Sequence, residues 1–160
     1  MTTVHWASGG SLVGSERNLT IARWDGVPTV DQLRAIGAAN DAIATTHPGG
    51  GGLLNVVIGG TPRFDEALRT EAMRLARIEG ARGLGAAHVV LVPGLAGMTV
   101  RTFFSTLTLV SQPKSPTRTF DDLDAAASWL AERLSPVVRW SGREILRAWN
   151  QLPRSLGATR

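Results

Sequence analysis

Leu53-Leu54-Asn55-Val56-Val57-Ile58-Gly59-Gly60, running straight into Thr61-Pro62-Arg63-Phe64-Asp65-Glu66, decides the fold class. A short apolar run rich in branched residues and closed by two glycines reads as a strand buried on both faces. Thr61 offers an N-cap oxygen and Pro62 a pre-set first helical residue, so the chain is expected to enter a helix at once. On that reading Thr61→Ala removes a cap and costs about 1 kcal/mol. Strand, tight turn and helix together make an α/β junction.

Downstream the pattern repeats. Phe64, Leu68, Ala72, Leu75 and Ala76 recur at helical steps, with Asp65 and Arg69 placed for an i,i+4 ion pair on the outer face, and Gly80 and Gly83 are expected to close the helix. His88-Val89-Val90-Leu91-Val92 is the next short buried strand, turned by Pro93-Gly94. Residues 96–110 are rich in threonine, which favours strand locally. Yet Val100, Phe103, Phe104 and Leu107 recur at helical steps, and a helix must cross between parallel strands, so a helix is expected. Ser111 to Thr117, with Pro113 and Pro116, reads as loop; Thr117 to Phe120 is a short edge strand. Asp121-Asp122 then opens a helix whose inner stripe is Leu123, Ala126, Ala127, Leu130 and Leu134.

Upstream, residues 4–24 read as an opening β-hairpin around the polar turn Gly14-Ser15-Glu16-Arg17-Asn18. Leu19, Ile21 and Arg23 point to one side of the second strand, and Thr20, Ala22 and Trp24 to the other. Thr29-Val30-Asp31-Gln32 has capping-box spacing, and Val30, Leu33, Ile36 or Gly37, Asn40 and Ile43 form the core stripe of the helix it starts. The glycines at 49–52 lack the lysine and following helix of a phosphate loop and read as a flexible connector.

The chain has 160 residues, 43% hydrophobic and 19% charged, with no cysteine. That suits one core plus an extension and excludes disulfides and thiolate chemistry. No segment nears the ~20 apolar residues of a membrane span, and the first residues lack a basic stretch followed by an apolar one, so no secretory signal and a cytoplasmic location are expected. Net charge is +4, all of it in the tail: residues 1–134 carry twelve basic and twelve acidic side chains, residues 135–160 five arginines and one glutamate. We therefore divide the chain into an α/β domain, 1–134, and a basic amphipathic extension, 135–160.

Ile21 to Gly26 ahead of the first helix, Leu53 to Gly60 ahead of the second, and Phe120-Asp121-Asp122-Leu123-Asp124-Ala125-Ala126 with Trp129-Leu130 in the fourth together resemble the bacterial STAS domain. This is the fold of anti-sigma-factor antagonists, related in architecture to CRAL-TRIO lipid carriers. The resemblance implies an opening hairpin, then alternating βα units in a mostly parallel mixed sheet, and a non-enzymatic regulatory or scaffolding role through protein contacts. In that family a phosphorylatable Ser or Thr sits just after the central strand. Thr61 occupies the place without the family's flanking Asp, Ser and Gly, which makes it a possible phosphorylation or anion site.

No catalytic or metal motif is present. His5, His47 and His88 lack ligand spacing, no Gly-x-Ser-x-Gly occurs, and the acidic residues Asp65, Glu66, Asp121 and Asp122 all have helix-start roles. Arg63, Arg69, Arg74 and Arg77 alternate with Asp65, Glu66, Glu71 and Glu79, so that face neutralises itself. No cofactor is expected. In the tail, Ser135-Pro136 reads as a helix start, with Arg139, Arg143 and Arg147 on one stripe flanked by Trp140, and Val138, Ile145, Trp149 and Leu152 opposite. Arg139, Trp140, Arg143, Ile145, Arg147 and Trp149 are the candidate surface for a protein partner or homo-oligomer, with peripheral contact to an anionic membrane through 135–152 as a further option and nucleic acid not expected. The other expectation, a small apolar-ligand or lipid carrier, requires a cavity lined by Phe103, Phe104, Leu107 and Val110; the regulatory module requires those side chains packed solid.

Overall fold

A computed structural model of the chain describes residues 1–112 and 115–154, with the side chains of 79–82 set aside. Pro113, Glu79 as a charge partner and residues 155–160 of the expected extension therefore lie outside the described residues. The order is β1 (Thr3–Ser8), β2 (Ser11–Glu16), β3 (Leu19–Asp25), α1 (Val30–Thr46), β4 (Gly52–Gly59), α2 (Glu66–Arg82), β5 (Gly85–Val90), α3 (Gly94–Ser111), β6 (Thr117–Phe120), α4 (Leu123–Leu134) and α5 (Gly142–Gln151). The strands form one sheet in the order β1-β2-β3-β4-β5-β6. β1, β2 and β3 pair antiparallel, and β3 through β6 pair parallel.

A strand order that advances in one direction, with crossovers of one hand, puts every crossover helix on the same face. Accordingly α1, α2 and α3 share a core with Ala22, Trp24, Val57 and Val90, while α4 and α5 share the opposite core with Leu19, Ile21, Leu54, Val56, Ala87 and Val89. The result is three layers, helix over sheet over helix. Residues 96–110 are helical throughout, so the 3.6-residue spacing of Val100, Phe103, Phe104 and Leu107 prevails over threonine's local bias.

Four local expectations are corrected. The opening is a three-stranded meander, because Gly14 to Glu16 belong to β2 and the second turn is left to Arg17 and Asn18, with Arg17 at φ 50. The glycine run is no loose connector: a Cβ on Gly51 would lie 2.5 Å from the Asn18 carbonyl oxygen and 2.7 Å from Ile43, and Gly52 already belongs to β4. α2 starts at Glu66, and Asp65 caps it, its Oδ1 accepting from the Leu68 amide at 2.8 Å. Where Asp65 and Arg69 are the expected pair, an ion pair on α2 joins Arg74 to Glu71, and the helix runs through Gly80 to Arg82.

The fourth correction concerns the tail. Ser135 closes α4 instead of opening a helix, its hydroxyl donating to the Ala131 carbonyl at 2.5 Å. α5 begins only at Gly142, behind a full capping box in which Ser141 accepts from the Glu144 amide and Glu144 accepts from the Ser141 amide. Arg139 consequently lies outside the helix. Trp140, Ile145, Ala148 and Leu152 are buried in the same core as α4 and the sheet. The Trp140 indole donates to Asn18 Oδ1 at 2.8 Å, and the Arg17 guanidinium stacks 3.6 Å from the ring centroid while bonding Glu144.

Candidate functional site: a cavity under the three crossover helices

The two faces of the sheet are packed differently. On the α4/α5 face, Leu19, Ile21, Leu54, Val56, Leu130, Leu134 and Ile145 are all below 2% exposed. Across the sheet, small residues stand where a helix-to-sheet gap needs volume: Ala86 on β5, Ala72 and Ala76 on α2, Ala96 on α3. A cavity of about 440 Å³ remains there, lined among others by Leu33, Ile36, Leu53, Leu75, Val100 and Leu107. Its size lies in the range of small-molecule sites. No Asp, Glu, Lys or Arg is among the described residues that line it.

Polar groups enter this apolar space at few places. Trp24, Asn55 and His88 project from three neighbouring strands, with Asn55 and His88 directly paired in the parallel register of β4 and β5. The Trp24 indole N–H donates to Asn55 Oδ1, and Asn55 Nδ2 lies 3.1 Å from His88 Nδ1. The His88 ring stacks on Phe104 with centroids 4.2 Å apart. Burial pushes its pKa down from the ordinary 6.5 to about 4, so the imidazole is neutral near pH 7. At the far end of α3, Ser111 Oγ lines the cavity, buried and without a hydrogen-bond partner among the described residues. Asn40 Oδ1 accepts from Thr20 at 2.5 Å.

Of the expected ligand-cavity residues, Phe103, Phe104 and Leu107 line this space, Phe103 stacking on Phe64 with centroids 3.9 Å apart. Val110 does not: it lies on the outer side of α3, 53% exposed. Thr61 is exposed and sits with Gly59, Gly60 and Pro62 along the cavity's rim, five residues ahead of the first residue of α2, so the helix-cap role expected for it belongs to Asp65.

The expected partner residues lie across the sheet. Trp140 and Ile145 are buried, Trp149 is half-buried against the same core, and Arg139, Arg143 and Arg147 are exposed, Arg147 reaching Glu16 at 4.0 Å. Trp140 and Ile145 are thereby removed from any contact surface, because their apolar area is already covered by this chain's own core.

Sequence reasoning missed the Trp24-Asn55-His88 row, although its signal was present. Trp24 was assigned to the side of its strand facing away from Leu19 and Ile21, and an asparagine in the middle of an apolar strand needs a buried partner. Among the described residues no group of three His, Cys, Asp or Glu is placed to hold a metal, and no helix is long and apolar enough to cross a membrane. Compared with known proteins, the chain matches no family model, no curated protein and no solved structure.

Proposed function

We propose that this protein is a non-enzymatic carrier or sensor of a small apolar molecule, held in the cavity between the sheet and α1, α2 and α3, on a STAS-like fold of the kind related to CRAL-TRIO carriers. The observation that carries the reading is the cavity itself: about 440 Å³, walled mainly by aliphatic and aromatic side chains and bordered by no Asp, Glu, Lys or Arg among the described residues. Transfer of an apolar ligand into such a space is favourable in proportion to the area it removes from water. In open parallel sheets ligands commonly sit where the strand order reverses, but β3 to β6 advance without reversal, so that crevice does not exist here. The space under the crossover helices is the alternative the topology offers.

The regulatory or scaffolding reading, with α5 as oligomer or partner surface, has less support. The apolar face that such a surface needs, Ile145, Ala148 and Leu152, is spent on the core shared with α4 and the sheet. What α5 leaves outside is chiefly Arg143 and Arg147, a rim of charge without an apolar centre.

N-phenylnaphthylamine, an uncharged apolar fluorophore, tests the carrier reading. The protein is expected to bind it at one site. Ala86→Leu, which builds into the cavity from β5, is expected to weaken that binding by about tenfold or more while leaving the circular dichroism spectrum unchanged. Saturable binding that is equal in both proteins, or no binding to either, overturns the proposal.

A further inference from the structure

The hydrogen-bond chain at the cavity wall fixes which proton the cavity presents. An indole N–H can only donate, so the atom of Asn55 facing Trp24 is the amide oxygen. The Asn55 nitrogen is then the atom facing His88 Nδ1, and an amide nitrogen can only donate, so Nδ1 accepts. A neutral imidazole that accepts at Nδ1 carries its one proton on Nε2. Among the described residues nothing accepts from that N–H, although His88 lines the cavity and is itself more than nine-tenths buried. Ser111 Oγ is the fully enclosed side-chain polar atom without a partner among the described residues, so His88 Nε2 keeps some accessible surface and its N–H is open to an acceptor that a ligand brings.

We propose that the cavity is built for an uncharged molecule with an apolar body and one carbonyl oxygen, which accepts from His88 Nε2–H while the chain beyond it packs against Phe104, Phe103 and Leu107. This rests on the carrier reading and names the class of ligand. Charged head groups are disfavoured because no Asp, Glu, Lys or Arg is among the described lining residues; His47 and His88 are the two imidazoles there, and burial keeps His88 neutral near pH 7. Ligand donors are served less well than ligand acceptors, since Asn55 Oδ1 and Asn40 Oδ1 already accept from Trp24 and Thr20. The unpartnered Ser111 hydroxyl, at the end of α3, is a second donor for a ligand long enough to reach it.

The test compares heptane, methyl pentyl ketone and heptanoate by calorimetric or NMR titration of the whole chain and of His88→Phe. Phenylalanine keeps an aromatic ring beside Phe104 but has no N–H. The native protein is expected to prefer the ketone over the alkane by about tenfold, and over heptanoate at pH 7.5 by at least as much. In His88→Phe the alkane affinity stays and the ketone preference falls to within about twofold. Should that variant not fold, the nitrogen resonances of His88 in the native protein report the same contact: Nε2 is expected to shift on adding the ketone and to stay on adding heptane.

Ketone and alkane binding equally well, a ketone preference that survives in His88→Phe, or heptanoate binding tightest each overturns the ligand class while leaving the carrier reading in place. Failure of both ketone and alkane to bind overturns the carrier reading, and this inference with it.

Discussion

His88 is the residue whose environment has the most direct thermodynamic consequence. Its folded-state pKa near 4 lies below the unfolded value of 6.5, so in the interval between them the unfolded chain binds the extra proton. Stability from this site is therefore complete above about pH 6.5 and is lost as pH falls toward 4, by roughly 3 kcal/mol in all at 1.36 kcal/mol per unit. Urea unfolding at pH 7.5, 6.2 and 5.2, above the range where carboxylates take up protons, should show the upper part of that loss in the native protein and a nearly flat profile for His88→Phe across the same interval. Glu71, held below the ordinary carboxylate range by its hydrogen bond from Arg74, and Glu144, held there by the Ser141 amide, contribute their losses at lower pH. A second residue-scale prediction separates two neighbours. Asp65→Ala should cost about 1 kcal/mol because the Leu68 amide loses its acceptor, whereas Thr61→Ala, exposed and away from the helix start, should stay within about 0.5 kcal/mol. Equal losses in chemical unfolding would contradict the cap assignment.

At the scale of elements, α5 is a structural member of the domain. Trp140, two residues ahead of α5, bonds Asn18 in the turn before β3, and Asn18 Nδ2 continues to the Gly50 carbonyl at 3.1 Å, so one buried asparagine joins the approach to α5, the meander and the segment leading into β4. Removing residues 135–160 would strip Trp140, Ile145, Ala148 and Leu152 from the core they share with α4 and the sheet, and we predict that the shortened chain loses cooperative thermal unfolding. A truncated protein that melts sharply within a few degrees of the full chain would refute this. The sequence made α3 legible because its apolar period is strong, and β4 because a buried parallel strand needs no alternation. The meander was hidden by Gly14, which looked like a turn residue; in the sheet a Cβ there would lie 2.8 Å from the Thr3 carbonyl oxygen and 3.1 Å from Leu152, both distant in sequence. Similarly, Ser135-Pro136 imitated a helix start. The true signal, Ser141-x-x-Glu144, lay six residues on, and only the long-range burial of Trp140 decides between them. The cavity was legible only in outline. Phe103, Phe104 and Leu107 could be placed on a face, but whether that face is filled depends on small residues such as Ala86 and Ala72, distant in sequence, lining the same layer, which no local pattern encodes.

For the whole molecule, the decisive property is that one sheet serves two unequal layers. Ala86 and Ala87 are consecutive on β5, so their side chains point to opposite faces. Ala87 is fully buried among Leu54, Val56, Leu130 and their neighbours, where added volume has nowhere to go. Ala86 borders open space. Ala87→Leu should therefore be destabilising by about 1–3 kcal/mol through overpacking, while Ala86→Leu should change stability by less than about 1 kcal/mol, because it fills volume that the fold leaves empty. Chemical denaturation of the two variants, one residue apart and identical in chemistry, isolates the difference between the faces from any effect of strand propensity. If both lose stability alike, the space under α1, α2 and α3 is closed in solution and the cavity has no room for a ligand. If only Ala87→Leu suffers, the protein keeps a solid half that maintains the fold and an open half whose stability does not depend on being filled.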